Sequence, residues 1–177
     1  DSPKEGGEIE RGLTKKGRED AQRIRNVLQD EEMDVVISSP YKRSILTVEP
    51  LANMLGKEVI IIEDLKERVF VGHNNRLPDS ELYPLLEKSF ADPSFSILGG
   101  ESNNDCQARA IKAFKDILLT YKGKKIVIGT HGAVMTLTIN YFNSVYDLDF
   151  LLKSTKPDIY RLQFKGEQLI DVSRMWE

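Results

Sequence analysis

Ile126-Val127-Ile128-Gly129-Thr130-His131-Gly132-Ala133 decides the fold: a fully apolar, β-branched run ends at small residues, and an apolar helical pattern follows from Ala133 to about Phe142. A strand that is apolar on every position is buried on both faces, as in a parallel sheet covered by helices. The same strand-then-helix order occurs upstream. Val35-Val36-Ile37 stops at Ser38-Ser39-Pro40, and from Tyr41 the period switches to Ile45, Val48, Ala52 and Leu55, ending at Gly56. Val59-Ile60-Ile61-Ile62 is a third buried strand. A surface helix over 14–30 places Ala21, Ile24 and Leu28 on one side, and a long helix from Glu101 to about Tyr121 carries a stripe of Ala108, Ile111, Phe114, Leu118 and Tyr121. Ile159–Phe164 and Gln168–Ser173, joined by Lys165-Gly166-Glu167, read as a β-hairpin. The pattern predicts an α/β three-layer sandwich: a mostly parallel central sheet with helices on both faces and a C-terminal hairpin.

The rest of the chain bounds the answer. Its 177 residues and 40% hydrophobic content suit a single domain over residues 1–177 with a sizeable core. Residues 65–100, with Gly72, Pro78, Pro84, Pro93 and Gly99-Gly100 around one helical piece at 80–89, read as an irregular insertion on the substrate side. Lys and Arg number 25 against 28 Asp and Glu, so a net charge of −3 gives no electrostatic reason for a nucleic acid or anionic membrane partner. Any bound anion must be held by a local pocket. A lone cysteine, Cys106, forms no internal disulfide and no zinc spacing, which points to a reducing compartment, simplest the cytoplasm. No apolar run approaches the roughly 18 residues of a membrane span. The chain opens without Met in a polar, Gly-containing stretch that reads like the middle of a loop.

In open α/β sheets ligands gather beyond the carboxyl ends of strands, at helix N-termini rich in free N–H groups. Two junctions place reactive side chains there. Arg43 falls in the first helical turn after Pro40, where it either grips a phosphate bidentately or is a solvated surface residue. His131 follows an apolar strand between small residues, as a reactive imidazole or a hydrogen-bonded structural one. Glu67, just beyond the strand ending near Ile62, is a candidate general acid or a solvated loop charge. Gly99-Gly100-Glu101-Ser102 precedes a helix and offers pocket contacts or plain capping. His73 reads as a surface residue first and a substrate contact second. The sequence holds no G-x-x-x-x-G-K-[ST], no G-x-G-x-x-G, no G-x-S-x-G and no clustered metal ligands.

Taken in order, Leu13-Thr14-Lys15-Lys16-Gly17, Ser38-Ser39-Pro40-Tyr41-Lys42-Arg43, Leu65-Lys66-Glu67, Gly99-Gly100-Glu101-Ser102 and Gly129-Thr130-His131-Gly132 resemble the histidine phosphatase superfamily, the phosphoglycerate mutase-like proteins, over nearly the whole chain. The resemblance implies a metal-independent and cofactor-free phosphatase acting on a small phosphoester through a phosphohistidine. Mutase-type transfer and a noncatalytic phosphate-binding module are the alternatives. It assigns Arg43, His131 and Gly132 to the phosphate, Glu67 to proton donation, and Glu101 and Ser102 to substrate contact. It also implies an Arg-His-Gly signature that ends the first strand and supplies the nucleophile. This sequence does not contain that signature, and Asp1 falls about where the chain stands just after it. The expectation is an upstream strand, and a chain that binds phosphate without turnover. Gly17, costly inside a helix by about 0.8 to 1.0 kcal/mol relative to Ala, needs a packing reason.

Overall fold

A computed structural model describes residues 1–72 and 76–177, so His73 lies outside the described residues. The elements run α1 (Lys15–Leu28), β1 (Val35–Ser38), α2 (Lys42–Leu55), β2 (Val59–Ile61), a 3-10 turn (Glu63–Leu65), α3 (Asp79–Ala91), α4 (Asn103–Thr120), β3 (Ile126–Gly129), α5 (Gly132–Phe142), α6 (Leu148–Lys153), β4 (Tyr160–Lys165) and β5 (Gln168–Arg174). Within residues 65–100, α3 is bracketed by irregular segments.

The three apolar runs form one parallel sheet in the order β2-β1-β3, with Ile37 opposite Ile60 on one side and Ile128 on the other. Successive side chains of a strand point to opposite faces, which here assigns each helix its layer. Val36 faces α2, packing with Val48 and Ala52. Ile37 faces the other way, onto Ala113 and Ile117 of α4 and Leu65. Outside α2, α1 adds Ile24 and Leu28 against Leu51 and Trp176. Beside α4, α5 brings Val134 and Leu137 onto Cys106 and Ala110. The result is the expected helix-sheet-helix sandwich. One expectation about α4 shifts: Ala108 is exposed, and the buried face runs through Cys106, Ala110, Ala113, Phe114 and Ile117. That helix packs on both α5 and the turn after β2, so its buried surface is wider than one stripe and rotated from the predicted one.

Local signals work as the sequence indicates. Gly56 closes α2 in the left-handed conformation at φ 63°, returning its amide to Asn53. Gly17 has its packing reason, because a Cβ there would overlap the carbonyl of Asp1, which also accepts from the Thr14 amide. The hairpin β4–β5 is antiparallel and turns at Gly166, φ 61°. Phe164 fastens it to the body, with ring centroids 5.5 Å from Phe114 and 5.1 Å from Phe142.

The hairpin does not pair with the sheet. Among the described residues β3 is hydrogen-bonded only on its β1 side and β4 only on its β5 side. Between their free edges runs a cavity of about 1590 Å³, lined by Ile126–Gly129 and by Tyr160–Phe164. Ile126, Val127 and Ile128 are consequently part-exposed, although β1 beside them is buried from Val36 to Ser38.

Candidate active site

Both strand-to-helix junctions that carry candidate residues open onto that cavity, which Arg43, Glu67, His131 and Gly132 all line. At the first junction, Ser38 leaves β1 fully buried, its hydroxyl donating to the Ser39 carbonyl and accepting from the Ser44 hydroxyl, both at 2.9 Å, which holds the turn into α2. Arg43 then projects from the first turn. Its guanidinium carbon lies 4.9 Å from the Tyr41 ring centroid. Its Nη1 donates to the Glu8 carbonyl at 2.6 Å and its Nη2 to Glu8 Oε2 at 2.8 Å. The other oxygen of Glu8 receives Arg11 Nη2 at 2.7 Å. One carboxylate thus bridges two arginines.

At the second junction His131 stands as the residue preceding α5, 9% exposed. Its Nε2 is 2.6 Å from Ser39 Oγ, and its ring centroid is 5.0 Å from that of Tyr41. Arg43 and His131, 88 positions apart in sequence, therefore rest against one tyrosine ring. Burial pushes the imidazole well below its usual pKa, and Arg43, Arg11 and Arg109 add to the effect by opposing a further positive charge. Tyr41 itself is pushed up by burial.

Glu67 reaches the same helix end from the segment after β2. Its Oε1 accepts the amides of Arg68 at 2.9 Å and Val134 at 3.1 Å, and Oε2 accepts that of Ala133 at 3.3 Å. It does for α5 what a capping side chain does, because His131 makes no cap bond. Amide donors and Arg43 favour the carboxylate, yet burial outweighs them and raises the pKa of Glu67. The Gly132 amide, at the first position of α5, has no protein partner among the described residues.

Glu101 and Ser102 stand elsewhere. Glu101 pairs with Arg109 through both oxygens and accepts the Val69 amide at 3.0 Å. Ser102 and Asp105 form a reciprocal capping box at the start of α4. Neither lines the cavity. Residues not singled out from sequence also shape the site: Ser39, Tyr41, Glu8, Arg11 and Arg109. Tyr41 and Ser39 sit inside the quoted Ser-Ser-Pro-Tyr stretch, whereas Glu8 and Arg11 lie in a polar loop with no local signal. Among the described residues no group of three His, Cys, Asp or Glu is placed to hold a metal ion, and no helix is long and apolar enough to cross a membrane.

These features sit at the strand ends of an α/β sandwich, and the chain belongs to the histidine phosphatase superfamily (branch 1), whose family model matches residues 2–171. Phosphoglycerate mutase-like protein 4 of Arabidopsis thaliana is 33% identical over 137 residues, 73% of this chain and 59% of that protein. The metal-independent phosphoserine phosphatase of the same plant is 30% identical over 141 residues, 73% of this chain and 57% of that protein. The chain thus spans under two thirds of the length of these curated relatives. Among solved structures, Bacillus stearothermophilus YhfR matches with a TM-score of 0.76 at 23% identity, over 93% of this chain and 84% of that one, a likeness of fold.

Proposed function

We propose that this chain carries the phosphate clamp, the second histidine and the proton donor of a metal-independent phosphatase that acts on a small phosphoester through a phosphohistidine. One observation carries the reading. Arg43, His131, Glu67 and the Gly132 amide line a single cavity, and that cavity continues as a slot between the free edges of β3 and β4. A strand seated in the slot would pair on both sides and bring its carboxyl end to the same junctions, and a histidine ending it would face the clamp. Hydrolysis is favoured over mutase transfer by the phosphatase among the relatives. The single cysteine is buried and free, which suits a reducing compartment such as the cytoplasm.

In this reading the incoming histidine attacks phosphorus, an N–P bond forms as the ester P–O bond breaks, and the leaving oxygen takes the proton of Glu67. Water then attacks phosphorus, returns a proton to Glu67 and releases inorganic phosphate and the histidine. Arg43 and the Gly132 amide balance charge on the transferring oxygens. His131 acts as a neutral donor. If the Ser39 hydroxyl donates to Nε2, Nδ1 carries the ring proton and is the free N–H.

Two forms of the protein test this. The 177-residue chain binds inorganic phosphate in calorimetry but does not hydrolyse p-nitrophenyl phosphate. The same chain extended at its N-terminus by a strand ending in Arg-His-Gly hydrolyses it and retains label on histidine after a quench at high pH. Turnover without labelled histidine defeats the covalent route, and failure of the chain to bind phosphate defeats the site.

A further inference from the structure

The carbonyls of the segment that carries Glu67 are held by side chains from elsewhere. Each of four consecutive carbonyls has a side-chain donor: Asp64 and Lys66 receive Arg109 Nη1 at 2.7 and 3.0 Å, Leu65 receives Thr130 Oγ1 at 2.9 Å, and Glu67 receives Arg109 Nη2 at 3.2 Å. One guanidinium on α4 therefore serves three of the four. Arg109 is itself fixed by Glu101, to which it donates from Nε at 3.0 Å and from Nη2. Glu101 closes the far end of the segment, accepting the Val69 amide at its carboxylate and the Arg68 guanidinium at its carbonyl, at 3.1 and 3.0 Å. Both side chains of the pair are largely buried, 15% and 17% exposed.

Such an arrangement does more than fill space. A buried carbonyl without a donor costs about 1 to 3 kcal/mol, so the segment has one low-energy path through Arg109. That path delivers the Glu67 carboxyl to the amides of Ala133 and Val134. We propose that Arg109, oriented by Glu101, is a positioning residue that holds Glu67 against the N-terminus of α5. The inference rests on the reading of Glu67 as proton donor, and gives Glu101 a role at the site without substrate contact. The other charged and titratable groups around Glu67 are Arg43 and Tyr41 at the start of α2, Arg68 next in the chain, Cys106 on α4 and His131 before α5. Arg109 differs from these in bonding the backbone that sets the position of Glu67.

Nuclear magnetic resonance on the 177-residue chain tests this without turnover, through carboxyl titration of Glu67 and hydrogen exchange along α5. In Arg109→Met the Glu67 midpoint moves away from that of the parent, because the carboxyl leaves the Ala133 and Val134 amides and gains water. The Ala133 and Val134 amides exchange about tenfold faster, while Leu137 and Ile139 in the same helix keep their protection. Arg109→Lys restores part of both. An unchanged Glu67 midpoint with protected Ala133 and Val134 overturns the proposal, as does a loss of protection uniform along α5. Should Arg109→Met fail to fold, Glu101→Gln, which leaves the arginine in place, shows the same two changes at smaller size, and their absence overturns it equally. The reading beneath is separable: if Glu67→Gln in the strand-extended protein leaves hydrolysis of an alkyl phosphate unchanged, the proton-donor role fails whatever the resonance data show.

Discussion

In the proposed reading, replacing Arg43 by Ala removes the group on which phosphate recognition most depends, and its loss can be sized from the contacts. A guanidinium has five N–H groups, of which Glu8 takes two, one on each Nη. Nε–H and one N–H on each Nη remain, enough for a bidentate grip on a phosphate. Two charge-assisted bonds at about 1.5 to 3 kcal/mol each amount to roughly two to four orders of magnitude in Kd. A second effect has the same sign. Without Arg43 the Glu8 carboxylate keeps only Arg11 and opposes the anion, so Arg43→Ala, Glu8→Gln recovers part of the loss. Arg43→Lys keeps charge without the planar fork and falls between. Titration calorimetry with inorganic phosphate at low salt measures each variant. Far-UV circular dichroism of each variant separates loss of the clamp from loss of the fold, since the Arg43 side chain also donates to the Glu8 carbonyl. Binding by Arg43→Ala within threefold of the parent would refute the assignment.

Glu8→Gln alone tightens phosphate binding about tenfold, since a negative charge 2.8 Å from the clamp is removed; weaker binding would make Glu8 a support of the clamp instead. His131 makes stability depend on pH with a definite sign. Its folded pKa lies below 6.5, so its contribution is complete above that value and is lost as pH falls through 6.5 toward the folded value, at up to about 1.4 kcal/mol per pH unit. In urea denaturation His131→Asn loses that slope, and a stability difference from the parent that is the same at pH 7 and pH 5 contradicts the burial argument. Glu67 slopes the opposite way, its contribution present at low pH and lost as pH rises from 4.5 through its raised value. Gly129→Ala puts a Cβ 2.9 Å from both Ser44 Oγ and Val48 Cγ1, and thermal unfolding should show about 1 to 3 kcal/mol of overpacking cost.

The sheet was legible because its strands are short β-branched runs bounded by turn residues, a pattern that few other structures satisfy. Arg43 and His131 were legible for a positional reason, since each follows the carboxyl end of one of two adjacent strands. Other features depend on partners far along the chain. Glu67 meets amides 66 and 67 residues away, and Arg109 meets carbonyls 42 to 45 residues away, so nothing local marks either contact. The Glu8–Arg11 pair is three residues apart but gains its meaning from Arg43, 35 positions from Glu8. Helix α6 went unread because its six residues complete fewer than two turns, with only the Asp147 cap as a signal.

Burial moves Glu67 and His131 in opposite directions, and both moves lead toward the uncharged form. The elevated carboxyl keeps a proton to higher pH, as a donor to a leaving oxygen requires, and the depressed imidazole stays a neutral hydrogen-bond donor. Attraction for an anion then falls to groups that do not titrate near neutrality. In the proposed reading Arg43 and Arg11 supply it, with Glu8 cancelling one of their two charges. On the protein side, phosphate affinity should therefore change little across neutral pH even as the proton donor titrates. In the proposed mechanism binding and proton transfer thus fall to separate residues, which lets each be perturbed alone.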